Sequence, residues 1–335
     1  MHDPNPKAAI IGIAGLELKD DEAALLRQYR PAGVILFRRN VSDARQLMIL
    51  TAELRAALPD DAVIMIDQEG GRVARLRPPH FNQHPPAGAI GDLYRGNPEA
   101  GIRAAWLQGA LIGAECAALG ITTVCAPVLD LRLPGMSSVV GDRGFGDAPE
   151  AVARLGRALA RGLLAAGVEP VLKHAPGHGR ARVDSHEAMP VVDETDLAAD
   201  LFPFAANADL PWMMTAHLLY CALDPLLPGT LSPIVIGDTI RRRIGFDGVL
   251  VSDDLAMGAL CGTPAARALA ALSAGCDIAL YCPGTMADNI DVLHAVPPLT
   301  DRAQARLAAS RDAASASKLA LDPARLLAER DGLGI

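Results

Sequence analysis

Aromatic residues are scarce: Phe, Trp and Tyr make up 4% of the 335 residues. A core must therefore be built from Ala, Leu, Val and Ile, which the 50% hydrophobic content supplies. Positive charge is also lacking. A formal net charge of −8 argues against nucleic acid as a partner, because that binding needs a basic face. The six cysteines (Cys116, Cys125, Cys221, Cys261, Cys276 and Cys282) contain no CxxC pair and lie in apolar stretches. They read as free core thiols in a reducing compartment. No run approaches the ~18 uninterrupted apolar residues of a membrane helix. The N-terminal MHDPNPKAAIIGIAG has one lysine and a short apolar run broken by glycines, which makes a poor signal peptide. The expectation is a soluble cytoplasmic protein without a membrane partner.

What the chain does have is alternation. Apolar runs at 8–14, 33–37, 62–67, 122–128, 169–174, 212–217, 248–254 and 277–282 are separated by longer segments of helical period at 20–30, 41–58, 101–120, 149–167, 232–245 and 263–275. The runs are continuously apolar, as strands covered on both faces are. Eight strands alternating with helices imply a parallel sheet with right-handed crossovers. A doubly wound sheet and a closed barrel both fit this pattern, and two observations favour the barrel. No GxGxxG follows the first run, so a dinucleotide crevice has no anchor. Asp67, Asp130, His174, His217 and Asp253 stand at or just past the C-terminal ends of five runs, the face on which barrel enzymes gather their chemistry. These features predict an α/β fold: a single (β/α)8 TIM-type barrel with an irregular first strand, plus C-terminal helices. One catalytic domain is expected over 1–335, with the barrel at about 8–295 and a helical extension at about 300–330 packed outside it.

The most informative stretch is KHAPGHGRARVDSH, residues 173–186. It leaves a buried strand and enters a loop of glycine, proline, histidine and charge. Asp184 and His186 sit two apart, so in an extended loop they point to the same side. A carboxylate so placed fixes the imidazole tautomer and favours the charged ring, giving a candidate general acid. Three other readings stand beside this: a metal site built from His174, His178, His186 and Asp184, a purely structural loop, and a phosphate site, against which the glycines are not followed by a helix start. Against the metal, no HxH or HExxH spacing occurs.

Three further segments follow the same logic. In VLVSDD (249–254) a strand ends in two adjacent acids and then opens a helix at LAMGAL; one acid faces the barrel axis and the other caps or pairs nearby. DQEGGR (67–72) with Arg75 offers acids and arginines around a Gly-Gly bend, fit either to fork hydrogen bonds to hydroxyls or to form a salt-bridged loop. GDRGF (141–145) adds Arg143.

Together, GVILFRRNV, IDQEGGRVARL, APVLDL, VVGDRGFG, KHAPGHGRARVDSH, MMTAH, TLSP and GFDGVLVSDDLAMGA resemble, in order and spacing, the bacterial β-N-acetylhexosaminidases of glycoside hydrolase family 3. The likeness covers about residues 8–290. It implies that Asp253 is the catalytic nucleophile, His186 the acid/base and Asp184 its carboxylate partner. It further implies that Asp67, Arg75, Arg143, Lys173 and His174 hold the hydroxyls of a terminal GlcNAc. The implied reaction is retaining removal of non-reducing β-linked GlcNAc, in Gram-negative recycling enzymes from GlcNAc linked to anhydro-muramic acid. No metal or organic cofactor is implied. The expected partner is a small muropeptide or amino-sugar substrate, and the chain is expected to be a monomer. Departures from the family pattern are Ala175 in KHAPGHG, Ala256-Met257 after SDDL, and Gly144 in GDRGF; none replaces a group assigned to catalysis. Rival activities are phosphorolysis, a metal-dependent barrel hydrolase using His174, His178 and His186, and a sugar-binding protein on a decayed enzyme scaffold.

Overall fold

All eight apolar runs become strands of one parallel sheet. In the computed structural model, which describes residues 5–185 and 188–335, β1 (Lys7–Gly12), β2 (Pro31–Leu36), β3 (Val63–Ile66), β4 (Thr123–Val124) and β5 (Glu169–Ala175) form its first half. A short parallel pair, β6 (Val191–Val192) and β8 (Leu219–Tyr220), lies apart from it; β7 (Trp212–Thr215), β9 (Val249–Val251) and β10 (Ala279–Tyr281) complete the main sheet. The strand order is β10-β1-β2-β3-β4-β5-β7-β9. A parallel bridge between Val251 and Ile278, with the Ser252 amide donating to the Ile278 carbonyl at 3.1 Å, joins the two edges into a barrel. The first strand is irregular where it meets β2, with a register shift between Lys7 and Ile10.

The strands are buried on both faces, and successive side chains alternate between two apolar clusters. Ile10, Ile35, Met65, Val171, Met214, Val251 and Leu280 pack together in one apolar cluster. Their neighbours Ile11, Val34, Ile64, Leu172, Met213, Leu250 and Ala279 pack in another, shared with the helices. The first set fills the lumen and the second faces the outer layer, as a small barrel filled by side chains requires. The outer layer comprises α1 (Asp20–Tyr29), α2 (Ala44–Ala57), α3 (Ala87–Gly96), α4 (Pro98–Ala118), α5 (Pro149–Ala165), α6 (Ala198–Ala205), α7 (Pro264–Ala274) and α8 (Met286–Ala295), with a π-helical segment at Val235–Arg243. Several start where the sequence signals a start. Asp43 accepts from the Gln46 amide at 2.9 Å ahead of α2, and Asn97 precedes Pro98 at the first position of α4.

The tail forms α9 (Asp301–Ser317) and α10 (Pro323–Gly332). α9 closes the bottom of the barrel: Leu299, Ala303 and Leu307 join the lumen cluster. The Trp212 indole donates to Ser310 Oγ at 2.8 Å, and Ser310 Oγ donates to the buried Glu169 carboxyl. α10 packs Leu326 on Leu107, Ala110 and Leu111 of α4, and Arg103 forks onto Glu329 at 2.6 and 2.8 Å.

Three expectations need correction. LAMGAL is a turn, not a helix; α7 begins only at Pro264. The segment 232–245 winds as a π-helix rather than an α-helix. Only four of the cysteines are core thiols, for Cys221 is half-buried and Cys261 exposed, although all six are free. Among the described residues, no helix is long and apolar enough to cross a membrane.

Candidate active site

At the C-terminal end of β3 the chain runs through Asp67, Gln68 and Glu69 into a sharp bend. Gly70 and Gly71 have φ of +103° and +56°, a region that costs little only for glycine. A Cβ on Gly70 would stand 2.4 Å from the Pro85 carbonyl oxygen. Buried Gln68 shapes the return of this loop, its Oε1 accepting from the Arg75 and Leu76 amides at 2.7 and 3.0 Å. Arg75 thereby comes back beside Asp67, with Nη2 3.1 Å from Oδ2. Both the Arg75 and the Arg39 guanidinium lie over the Phe37 ring, 5.1 and 4.9 Å from its centroid.

Lys173, on β5, places its ammonium between two acids, 2.8 Å from Asp67 Oδ1 and 2.7 Å from Glu69 Oε1. Arg143, from the loop after β4, forks onto Glu69 through Nε and Nη2 at 2.9 and 2.8 Å. Burial opposes ionisation of both acids. For Asp67 the Lys173 and Arg75 cations outweigh it, and for Glu69 the Arg143 and Lys173 cations do, holding both carboxyls below the usual range. Burial likewise disfavours charge on Lys173 and Arg143, and the same acids overcome it, raising both. Two acids and three cations thus form one ionised lattice. The salt-bridged reading of the DQEGGR segment holds, and the salt-bridged loop faces the pocket.

Next to Lys173, His174 is oriented by Asp130. Its Nδ1 is 2.6 Å from Asp130 Oδ2, and Asp130 Oδ1 accepts from the His174 and His178 amides at 3.1 and 2.7 Å. Burial works against the Asp130 charge, but His174 and these bonds bring its carboxyl down to about 2. With an ionised acceptor there, Nδ1 carries the proton and donates. His178 is buried, and burial followed by the nearby His174 pushes its imidazole down to about 4. Its Nε2 lies 3.2 Å from Ser185 Oγ, linking the motif loop to the residue after Asp184.

The two acids after β9 diverge. Asp254 Oδ1 accepts from the Ala256 and Cys282 amides at 2.9 and 3.1 Å, and burial raises its carboxyl. These bonds hold the turn that replaces the expected helix. Asp253 is half-buried and desolvation opposes its charge, yet His174, His217 and the Asp254 amide, 2.8 Å from its Oδ1, keep it below the ordinary range. At the end of β7, burial lowers the His217 imidazole; its Nε2 donates to the Asp254 carbonyl at 2.9 Å and its Nδ1 lies 2.7 Å from Thr230 Oγ1.

These groups open on one pocket of about 280 Å³, lined by Asp67, Arg75, Arg143, Lys173, His174, Asp184 and Asp253 among others. Seven of the eight residues singled out from the sequence therefore meet in one place. The eighth, His186, lies outside the described residues. Among the described residues, no three His, Cys, Asp or Glu side chains converge as a metal-ligand set. Glu69 carries more of the lattice than its place in DQEGGR announces. The one available signal is its position two residues after Asp67, which puts both carboxylates on one side of an extended segment.

Residues 7–312 match the Glycosyl hydrolase family 3 N terminal domain. A Beta-hexosaminidase of Bordetella pertussis (strain Tohama I) is 40% identical over 293 residues, covering 85% of this chain and 82% of that protein. One from Methylococcus capsulatus (strain Bath) is 41% identical over 311 residues, covering 89% and 91%. Among solved structures, NagZ from Neisseria gonorrhoeae in complex with N-trifluoroacetyl-D-glucosamine superposes with a TM-score of 0.87 at 33% identity, over 99% of both chains. The chain belongs to glycosyl hydrolase family 3, as a glycosidase of its bacterial β-N-acetylhexosaminidase class.

Proposed function

We propose that the protein removes terminal non-reducing β-linked GlcNAc by a two-step retaining route. The Asp253 carboxylate attacks the anomeric carbon as the glycosidic C–O bond breaks, and His186, held by Asp184, gives its proton to the departing oxygen. In the second step neutral His186 takes a proton from water. The water oxygen bonds to the same carbon and Asp253 is released, so two inversions give net retention. A histidine in the acid/base role departs from the usual two-carboxylate arrangement.

The observation that carries this reading is the placement of Asp253: a half-buried acid, held below the ordinary carboxyl range, on the same pocket as Asp184 and the charged lattice. Asp67, Arg75, Arg143, Lys173 and His174 then serve as the hydroxyl-binding set for the terminal sugar, and a cluster of carboxylate acceptors and charged donors on one pocket suits that task. The natural substrate we assign is GlcNAc linked to anhydro-muramic acid, with or without its peptide, in cytoplasmic peptidoglycan recycling. The Neisseria protein, solved with N-trifluoroacetyl-D-glucosamine, supports an N-acyl amino sugar in the pocket. The enzyme acts as a monomer without a cofactor.

The test is turnover of 4-nitrophenyl β-GlcNAc, with the first-formed anomer followed by NMR. Asp253→Ala should lower kcat by a factor on the order of 10³ or more, and the wild type should release the β-anomer first. Near-normal turnover in the variant, or initial release of the α-anomer, rejects the mechanism. GlcNAc-1-phosphate formed in phosphate buffer would establish phosphorolysis instead. An anhydro-muramic disaccharide cleaved no better than β-linked chitobiose would reject the recycling substrate.

A further inference from the structure

Behind the sugar-binding loop runs a strap, residues 82–86, that the proposed chemistry does not use. It meets the Gly-Gly bend edge to edge: the Gly71 amide donates to the His84 carbonyl at 2.9 Å. A Cβ on Gly71 would stand 2.7 Å from Pro86 Cβ. Strap and bend have no slack between them, so where the strap sits, residues 69–71 must sit.

Three supports hold the strap from behind. The Asn82 backbone and side-chain amides donate to Glu115 Oε1 at 3.0 and 3.1 Å. Gln108 Nε2 donates both to the Pro85 carbonyl and to the Glu69 carbonyl, at 3.1 Å each. Both of those residues lie on α4. The third support comes from the far end of the chain: Arg330, on α10 and 7% exposed, donates from Nη1 to the Gln83 carbonyl at 3.1 Å. A charged donor on a carbonyl is among the stronger neutral-acceptor bonds available to a loop. α10 begins at Pro323, past the end of the family match at residue 312.

We propose that Arg330 is a positioning residue for the active site: through Gln83 it fixes the strap, the strap fixes Gly70 and Gly71, and these aim Glu69 at Lys173 and Arg143. Its effect on the reaction rests on the reading that this lattice binds the sugar. Its effect on the loop does not.

Full-length Arg330→Ala, Arg330→Lys and Glu329→Gln are compared. The last loosens α10 at Arg103 without touching the strap. Amide exchange over residues 67–88 reads the loop, steady-state kinetics on 4-nitrophenyl β-GlcNAc read the site, and thermal melting confirms that each variant folds. Arg330→Ala should quicken exchange in that segment by about fivefold or more. It should also raise KM by about three- to tenfold while kcat stays within about twofold. Arg330→Lys should recover much of both effects, and Glu329→Gln should produce neither. Unchanged exchange in Arg330→Ala overturns the proposal, as do equal effects of Arg330→Ala and Glu329→Gln, which would reduce Arg330 to helix docking. Quickened exchange with unchanged KM, together with unchanged KM in Arg143→Gln, would remove the sugar-binding reading of the lattice and leave the brace established.

Discussion

Arg143 and Glu69, 74 residues apart in the chain, meet in a two-pronged contact at 2.9 and 2.8 Å, with Lys173 on the same carboxylate at 2.7 Å. The charges are buried and cancel only as a set. Replacing Glu69 by Gln leaves buried Lys173 and half-buried Arg143 with Asp67 as their remaining acid. Breaking such a pair on one side costs about 3 kcal/mol, so urea unfolding of Glu69→Gln should show a loss of that order, with a raised KM. A loss below about 0.5 kcal/mol would mean that the lattice contributes nothing net.

Asp253 and Asp254 are neighbours with opposite shifts, and substitution should separate them. Asp254 works through an oxygen that accepts two amides, and asparagine retains such an oxygen. Asp254→Asn should therefore keep kcat within about tenfold, whereas Asp253→Asn should lose a factor on the order of 10³. The reverse order of damage would reassign the nucleophile.

Acid should destabilise the fold in two stages. His178 is lowered to about 4 in the folded protein, against about 6.5 when unfolded. The unfolded state binds the extra proton between these values, so stability is full above pH ~6.5 and falls as pH drops towards 4. Asp130, brought down to about 2, and the depressed Asp67 and Glu69 contribute above the ordinary carboxyl range near pH 4 and are lost below it. Urea midpoints measured from pH 7 to 4 should decline for the wild type and flatten for His178→Asn. An equally steep decline in that variant would show that His178 is not the group titrating.

The bend at Gly70 tolerates no side chain. Gly70→Ala adds left-handed strain and a contact 2.4 Å from the Pro85 carbonyl oxygen. It should cost about 2 kcal/mol or more, readable as a lowered Tm, and should raise KM by displacing Glu69. A neutral Gly70→Ala would mean that the bend can shift without disturbing the lattice.

Much of the fold is legible in the sequence. Each of the eight apolar runs is a strand because both its faces are covered, and burial on both faces leaves a local trace. The polar residues placed where those strands stop, Asp67, His174 and Asp253, are legible too, since a barrel leaves its chemistry at that end. LAMGAL forms a turn for a physical reason. Its apolar spacing suits a helix, but Asp254 draws the amides of Ala256 and, 28 residues away, Cys282 onto one oxygen.

By itself, the sequence determined the eight strands of the barrel, though not the separate β6–β8 pair, and with them the rim that carries the polar groups and the segments from which those groups come, because burial and turn chemistry are local properties written in composition and period. Tertiary structure alone decided which charges share a partner: Asp130 with His174, Glu69 with Arg143, and Arg330 with the Gln83 carbonyl, 247 residues away. It also decided that α9 closes the barrel floor. Nothing in local spacing encodes such meetings; they arise when barrel closure brings distant loops within hydrogen-bond reach, and a buried charge or carbonyl then takes whichever partner the closed barrel presents.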